Sequence, residues 1–211
     1  MTSNDLWPLV QQERLRFADL LATLTPDDWA TPSLAAGWSV KHVAAHCVAT
    51  AHTSPFSFVT QFAGAGFNFT KFNERNISRY GSATPDALVT ETRASAGRTS
   101  APPGPAQVPI SEIVVHSEDV ARPLGRTMDR ATEALVASLD FYKGAQPLVG
   151  AKKRSEGLHL VATDVDWEHG SGPTVSGPAI ALLLAMSGRR AGLEDLTGDG
   201  VSVMTARMPL T

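Results

Sequence analysis

The stretch Ile110-Ser-Glu-Ile-Val-Val-His116 places a carboxylate and an imidazole four residues apart in an otherwise apolar run. On an α-helix, positions i and i+4 lie on one face, about 6 Å apart along the axis. The apolar neighbours indicate a buried or lining segment, where an unpaired glutamate is costly. The pattern therefore favours a partner for Glu112, either a divalent metal shared with His116 or an arginine.

A second source of histidine lies upstream, in Gly37-Trp-Ser-Val-Lys-His-Val-Ala-Ala-His46. If this helix packs against the first, we expect His46, Glu112 and His116 to form a three-ligand site. Three N/O ligands leave one position open for water or substrate, which is typical of a catalytic metal. Zinc is the first choice, and Ni, Fe or Mn would also accept these ligands.

Three other polar side chains lie near these positions in the sequence. His42 shares a helix face with His46 and is expected to be exposed, although it would also suit a ligand. Asp119, one turn after His116, either orients that imidazole or is a charge on the helix surface. Cys47 is predicted to be a buried, inert thiol. All four tryptophans are predicted to be core or packing residues, namely Trp7, Trp29, Trp38 and Trp167. The other histidines are predicted to be structural or exposed, namely His52, His159 and His169.

The composition excludes several classes of protein. The chain has 211 residues, of which 43% are hydrophobic, with a net charge of −3 and one cysteine. No basic excess suggests nucleic acid or an anionic membrane as a partner. A single cysteine excludes a disulfide framework and a cysteine-rich zinc finger. No signal peptide or apolar span of about 18 residues is evident, so a cytoplasmic location is expected.

The periodicity predicts a helical bundle over residues 1–145 and a small α+β domain over 155–211. Predicted helices cover residues 4–24, 40–53, 70–80, 84–97, 110–122, 128–143 and 178–187. Residues 144–157, which include the basic run at 152–154, are predicted to be a solvated linker. Strands are predicted at Leu158–Thr163 and, as a terminal strand, at Val201–Met208.

The motif around Trp38 and His46 resembles the second-helix signature of DinB-like metal enzymes, in particular the mycothiol-dependent maleylpyruvate isomerase family. A later helix in that family carries Glu-x-x-x-His and an aspartate three residues on, which Glu112, His116 and Asp119 match. The position of His42 is more often acidic in that family. Four C-terminal stretches are also similar to its small second domain: Ala162-Thr-Asp-Val-Asp-Trp167, Gly172-Pro-Thr-Val-Ser-Gly-Pro178, Ser187-Gly-Arg-Arg190 and Leu196-Thr-Gly-Asp-Gly200.

The resemblance implies a DinB-like four-helix bundle followed by a small α/β domain. It implies a divalent metal, zinc above all, and mycothiol as a low-molecular-weight thiol cosubstrate. The thiolate would attack an electrophilic small-molecule substrate, in an isomerase or S-transferase reaction. An arginine of the second domain would bind anionic groups, and Arg189, with Arg190 beside it, is the matching position.

Two further functions are compatible with the sequence. The chain would be a non-catalytic metal-binding module if its metal served stability or sensing alone. It would be a thiol-independent hydrolase if metal-bound water were the nucleophile. Turnover that requires a thiol would distinguish the thiol-dependent enzyme, which the resemblance implies, from the non-catalytic module and from the hydrolase. The chain is expected to be a monomer or a homodimer.

Overall fold

A computed structural model describes residues 3–145 and 150–209 of the chain. It separates into two compact units, Met1–Asp129 and Arg130–Thr211. The helix preceding residue 145, which sequence analysis assigned to the first domain, therefore lies in the second unit. The predicted domain division at 145–155 stays a prediction, and residues 146–149 of the predicted linker lie outside the described residues.

The first unit is helical. Its α-helices are α1 (Ser3–Ala22), α2 (Pro26–Ala30), α3 (Val40–Ala51), α4 (Pro55–Gly64), α5 (Phe69–Gly81), α6 (Pro85–Ser95) and α7 (Val108–Ala121). Polar residues stand before most of them and accept a hydrogen bond from the first turn, as Thr25, Ser39, Ser54, Asn68 and Thr84 do. Such caps satisfy N–H groups that have no partner within the helix.

Four of these helices form a bundle in which each contacts two others, in the cyclic order α1, α6, α3, α7. Their apolar faces meet in the interior, because each helix buries residues three or four positions apart. Phe17, Val43, Leu88 and Val114 represent the four helices in this core, and each has at most 1% of its surface exposed. The predicted four-helix bundle is confirmed.

A buried arginine joins α1 to the end of α6. Arg14 is 7% exposed, and its Nη1 donates to the carbonyl oxygens of Arg98, at 2.8 Å, Ala96, at 3.4 Å, and Ser95, at 3.5 Å. These carbonyls lie at a helix C-terminus, where the helix dipole favours a cation. The contact brings the positive charge of Arg14 into the interior of the bundle.

The second unit contains α8 (Thr132–Tyr142), α9 (Ala151–Ser155), α10 (Ala179–Met186) and α11 (Val201–Ala206). Its sheet consists of β1 (His159–Ala162), β2 (Glu168–Gly170) and β3 (Thr174–Gly177). The central strand, β1, pairs antiparallel with β2 and parallel with β3, and α10 packs against β1 and β3. The predicted small α+β unit after a helical bundle is confirmed.

Two local predictions in this unit are wrong. Residues Val201–Met208 are not a strand, because α11 covers Val201–Ala206. Met204 and Met208 are both buried and lie four residues apart, which is a helical period that the alternating valines obscured. The basic run is not a solvated linker either, since α9 contains it and Arg154 is only 9% exposed, with Nε donating to the Met186 carbonyl at 2.9 Å.

Candidate metal centre

Helix α7 is buried along almost its whole length. Every residue from Pro109 to Ala121 is buried except Glu112 and His116, which are half-buried. Because these two residues are four positions apart, they lie on the same face of the helix. An apolar helix interrupted only by a carboxylate and an imidazole on one face presents two ligand groups at a protected surface.

Helix α3 supplies the third group. Ser39 caps its first turn, accepting from His42 N at 3.4 Å, while Nδ1 of His42 accepts from Ser39 N at 3.2 Å. This reciprocal capping box occupies His42, whose side chain is exposed, and explains its position without a ligand role. His46, one turn further along, is 5% exposed and points from the buried face of α3 toward α7.

The structure brings His46, Glu112 and His116 together, with one ligand atom of each within 4.8 Å of the others. Nε2 of His46 lies 2.9 Å from Oε1 of Glu112, and the two imidazole ring centroids are 4.8 Å apart. The side chains are 6%, 25% and 15% exposed, respectively. The centre is therefore shielded, yet it opens on the side of Glu112 and His116.

Two neighbouring side chains contact the imidazoles. Nδ1 of His116 lies 2.9 Å from Oδ2 of Asp119, which is fully buried, and the carboxylate can only accept in this hydrogen bond. Trp38 lies over both rings, with its centroid 4.9 Å from that of His46 and 5.9 Å from that of His116. Asp119 therefore contacts the His116 imidazole and is not a charge on the helix surface.

The charge of Glu112 is balanced by its surroundings. Burial alone raises the pKa of this carboxyl, but the hydrogen bond with His46 and the electrostatic interactions with His46, His116 and Arg14 outweigh it, so the pKa is lowered. Arg14 and Glu112 line one narrow cavity, together with Cys47. The balance keeps Glu112 ionised, which is the form that binds a metal.

Cys47 is not a nucleophile in this arrangement. The thiol is buried, and burial, followed by the negative charges of Glu112 and Asp119, raises its pKa well above the ordinary value. A thiol held in the protonated form reacts poorly, since the thiolate is the nucleophile. The prediction of an inert cysteine agrees with this environment.

Arg189 and Arg190 lie in the second unit, at the turn that follows α10. Nη1 of Arg189 donates to the carbonyl of Ser187 at 3.2 Å, and its side chain is half-buried, whereas Arg190 is exposed. Arg154 lies nearby: burial and then the positive charge of Arg189 lower its pKa. The guanidinium groups of Arg154 and Arg189 therefore form a basic region in this unit.

Comparison with known proteins assigns the chain to a family. The model of the mycothiol maleylpyruvate isomerase N-terminal domain matches residues 10–136, more than half of the chain, and that of the corresponding C-terminal domain matches residues 126–207. The chain belongs to the mycothiol maleylpyruvate isomerase family. Comparison with curated proteins found no match.

Two solved structures share the fold of this family member. A histidine-to-alanine mutant of mycothiol-dependent maleylpyruvate isomerase superposes with a TM-score of 0.62, and the same enzyme in a second structure with 0.57. In both cases the sequence identity is 15%, and the alignment covers 99% of this chain and 95% of the other. At this identity the likeness concerns the fold alone.

Sequence reasoning missed one residue of the site in this family member. Trp38 was predicted to be structural, yet it contacts both imidazoles. The signal was its place directly before the cap of the histidine-bearing helix. The remaining histidines lie outside the cluster, as expected: His52 pairs with Glu91 at 2.7 Å, and His159 approaches Glu168 at 3.4 Å. Among the described residues, no helix is long and apolar enough to cross a membrane.

Proposed function

We propose that this chain is a divalent-metal-dependent enzyme that uses mycothiol as a thiolate nucleophile, in a reaction of the maleylpyruvate isomerase or S-transferase type. The observation that carries this proposal is the convergence of His46, Glu112 and His116 on a partly open face. Membership of the mycothiol maleylpyruvate isomerase family supports the thiol and the class of reaction.

The three side chains suit a divalent ion such as Zn²⁺. Two imidazole nitrogens and a carboxylate oxygen form a ligand set of catalytic zinc, and three protein ligands leave a position for a small molecule. When bound, such an ion would act as a Lewis acid that lowers the pKa of a thiol, so that the thiolate forms near neutral pH. The cysteine-free ligand set and the partial opening both favour a catalytic over a structural role.

The residues of the chain prepare this site in distinct ways. Asp119 accepts the Nδ1 proton of His116, which leaves the Nε2 lone pair of that imidazole available to a metal. The hydrogen bond with His46 and the nearby Arg14 guanidinium favour the ionised form of Glu112. Burial raises the pKa of the Cys47 thiol, which supports a small thiol rather than Cys47 as the source of the nucleophilic sulfur.

The isomerisation needs only a reversible addition. The thiolate sulfur forms a C–S bond to one alkene carbon of the maleyl group, and the π electrons move into the adjacent carbonyl as an enolate. The former double bond is now single and rotates. Return of the enolate electrons re-forms the alkene in its trans form and expels the thiolate. In S-transfer, the same C–S bond forms while a leaving group departs with its electron pair.

The proposal is tested by removing the metal and the thiol separately. Zinc-loaded protein with mycothiol is expected to isomerise maleylpyruvate, and either chelation of the metal or omission of mycothiol is expected to lower the rate by at least roughly 10³-fold. Re-addition of zinc restores turnover. Isomerisation at an equal rate without thiol would contradict the thiolate reaction, and hydrolysis of a substrate by the zinc form without thiol would indicate a metal hydrolase. Binding of metal without turnover of any electrophile would indicate a non-catalytic module.

We further propose that Arg189, with Arg190 beside it, binds an anionic group of the substrate or of the thiol. Arg189→Met is expected to raise KM about tenfold, because a charge-assisted hydrogen bond to a carboxylate is lost. Lys153→Met removes an exposed cation from the same unit and serves as the control. Steady-state kinetics at saturating metal measure both, and an unchanged KM in Arg189→Met would contradict this role.

A further inference from the structure

The two imidazoles of the centre are oriented by different means. Nδ1 of His116 has a carboxylate partner, Asp119, at 2.9 Å. Nδ1 of His46 is buried and has no hydrogen-bond partner among the described residues. A histidine that binds a metal almost always directs its second ring nitrogen to an acceptor, which fixes the orientation of the ring. The only hydrogen bond of the His46 ring among the described residues is that of Nε2 with Glu112, on the side where a metal would bind. No acceptor on the Nδ1 side orients the ring, so packing has to supply that orientation when Nε2 binds a metal.

Trp38 is the side chain placed to do this. Its ring is tilted by 51° over His46 at a centroid distance of 4.9 Å, and it is stacked on His116 at 22° and 5.9 Å. The two imidazoles meet edge to face, at 71°. The three rings form one packed group, so rotation of the His46 ring would collide with or leave the indole.

The backbone holds Trp38 in this position. Its carbonyl accepts from both the N–H and the hydroxyl of Ser33, at 2.8 and 2.9 Å, and its N–H donates to Ala35 at 2.9 Å. An isolated antiparallel β-bridge between Pro32 and Ser39 joins the two ends of this loop. The loop thus ends at Ser39, the N-cap of α3, so Trp38 directly precedes the helix that carries His46.

We propose that Trp38 is a positioning residue of the centre, whose indole face gives His46 the fixed orientation that Asp119 gives His116. The inference rests on the proposed metal-dependent function. The orientation of the imidazole matters for that function because a metal would bind its Nε2. A purely structural tryptophan would affect the stability of the protein without changing metal affinity in the folded state or the geometry of the ligands.

The first test measures metal binding. Trp38→Ala is expected to weaken Zn²⁺ binding about 10–100-fold, as loss of an orienting partner does, and to change the visible spectrum of the Co²⁺ form. Trp38→Phe retains an aromatic face and is expected to stay within about threefold of the wild type. Trp7→Ala is the matched control, because Trp7 is half-buried on α1 in the same unit and makes no ring contact with the histidines in the described part of the chain.

The second test needs no metal. Diethyl pyrocarbonate modifies accessible imidazoles, and peptide mass spectrometry locates the adduct. In the metal-free wild type, His46 is expected to react slowly, since its side chain is 6% exposed, while His52, at 30%, serves as an internal reference. In Trp38→Ala, the ratio of His46 to His52 modification is expected to rise at least roughly tenfold, because the ring loses its cover. If Trp38→Ala does not fold, Trp38→Leu takes its place, since leucine is apolar but lacks a flat ring.

The outcomes separate the two proposals. If the wild type binds no metal, the proposed metal-dependent function fails, and the modification ratio alone decides the role of Trp38. If the alanine variant binds Zn²⁺ as the wild type does, with an unchanged Co²⁺ spectrum, or if the modification ratio does not change, Trp38 does not position His46. Weakened binding together with a raised ratio, and recovery of both in Trp38→Phe, would support the proposal.

Discussion

Replacing His116 by alanine is expected to reduce bound metal from about one ion per chain to less than about 0.1, because a three-ligand site that loses an imidazole retains too few ligands for tight binding. Thiol-dependent turnover is expected to fall by at least roughly 10³-fold with it. His116 is 15% exposed and contacts Asp119 and Trp38, so the substitution leaves a small, partly open space rather than a large core cavity. The protein should therefore remain folded.

The measurement is elemental mass spectrometry on protein purified without a chelator or a nickel-affinity tag, followed by loading with zinc. His52→Ala is the matched control, since His52 also pairs with a glutamate, Glu91, but lies outside the cluster. We expect the control to retain its metal. Full metal content and activity in the His116 variant would contradict both the site and the proposed reaction.

Glu112→Gln is expected to lower metal affinity about 100-fold, since a neutral amide oxygen replaces the carboxylate of the proposed ligand set while the shape of the side chain is kept. The matched control is Glu91→Gln, which changes the other Glu–His pair of this unit, where the oxygen–nitrogen distance is 2.7 Å. Competition with a chromophoric chelator at pH 7 measures both. An affinity that is equal in Glu112→Gln and the wild type would exclude the carboxylate as a ligand.

The same variant has a characteristic pH dependence in metal-free protein. The pKa of Glu112 is lowered from its ordinary value of 4.5, because the hydrogen bond with His46 and the nearby positive charges overcome the cost of burial. The stabilising contribution of the carboxylate is therefore present above about pH 4.5 and is lost as the pH falls through the lowered pKa. Urea denaturation should show that the free energy of unfolding of the wild type decreases relative to that of Glu112→Gln over this acidic range.

Much of the bundle was predictable because its signals are local. The Ser39 cap, the apolar periodicity of α1 and the Glu112–His116 spacing depend only on neighbouring residues. The terminal helix α11 was missed because two valines alternate over a short run, and only the burial of Met204 distinguishes the helix from a strand. Short segments are ambiguous in this way, since packing against the rest of the unit decides their conformation.

The sequence by itself determined that Glu112 and His116 share one helix face, because the helical period requires it, and that a single cysteine cannot form a zinc ribbon or finger. Only the tertiary structure places His46, and not His42, beside Glu112 and His116, since this depends on how α3 faces α7 and on the use of His42 in the helix cap. It also placed Asp119 against His116, and Trp38 against both imidazoles. Contacts between residues far apart in the chain, such as those of Trp38 with His116, are set by packing, which no local pattern contains.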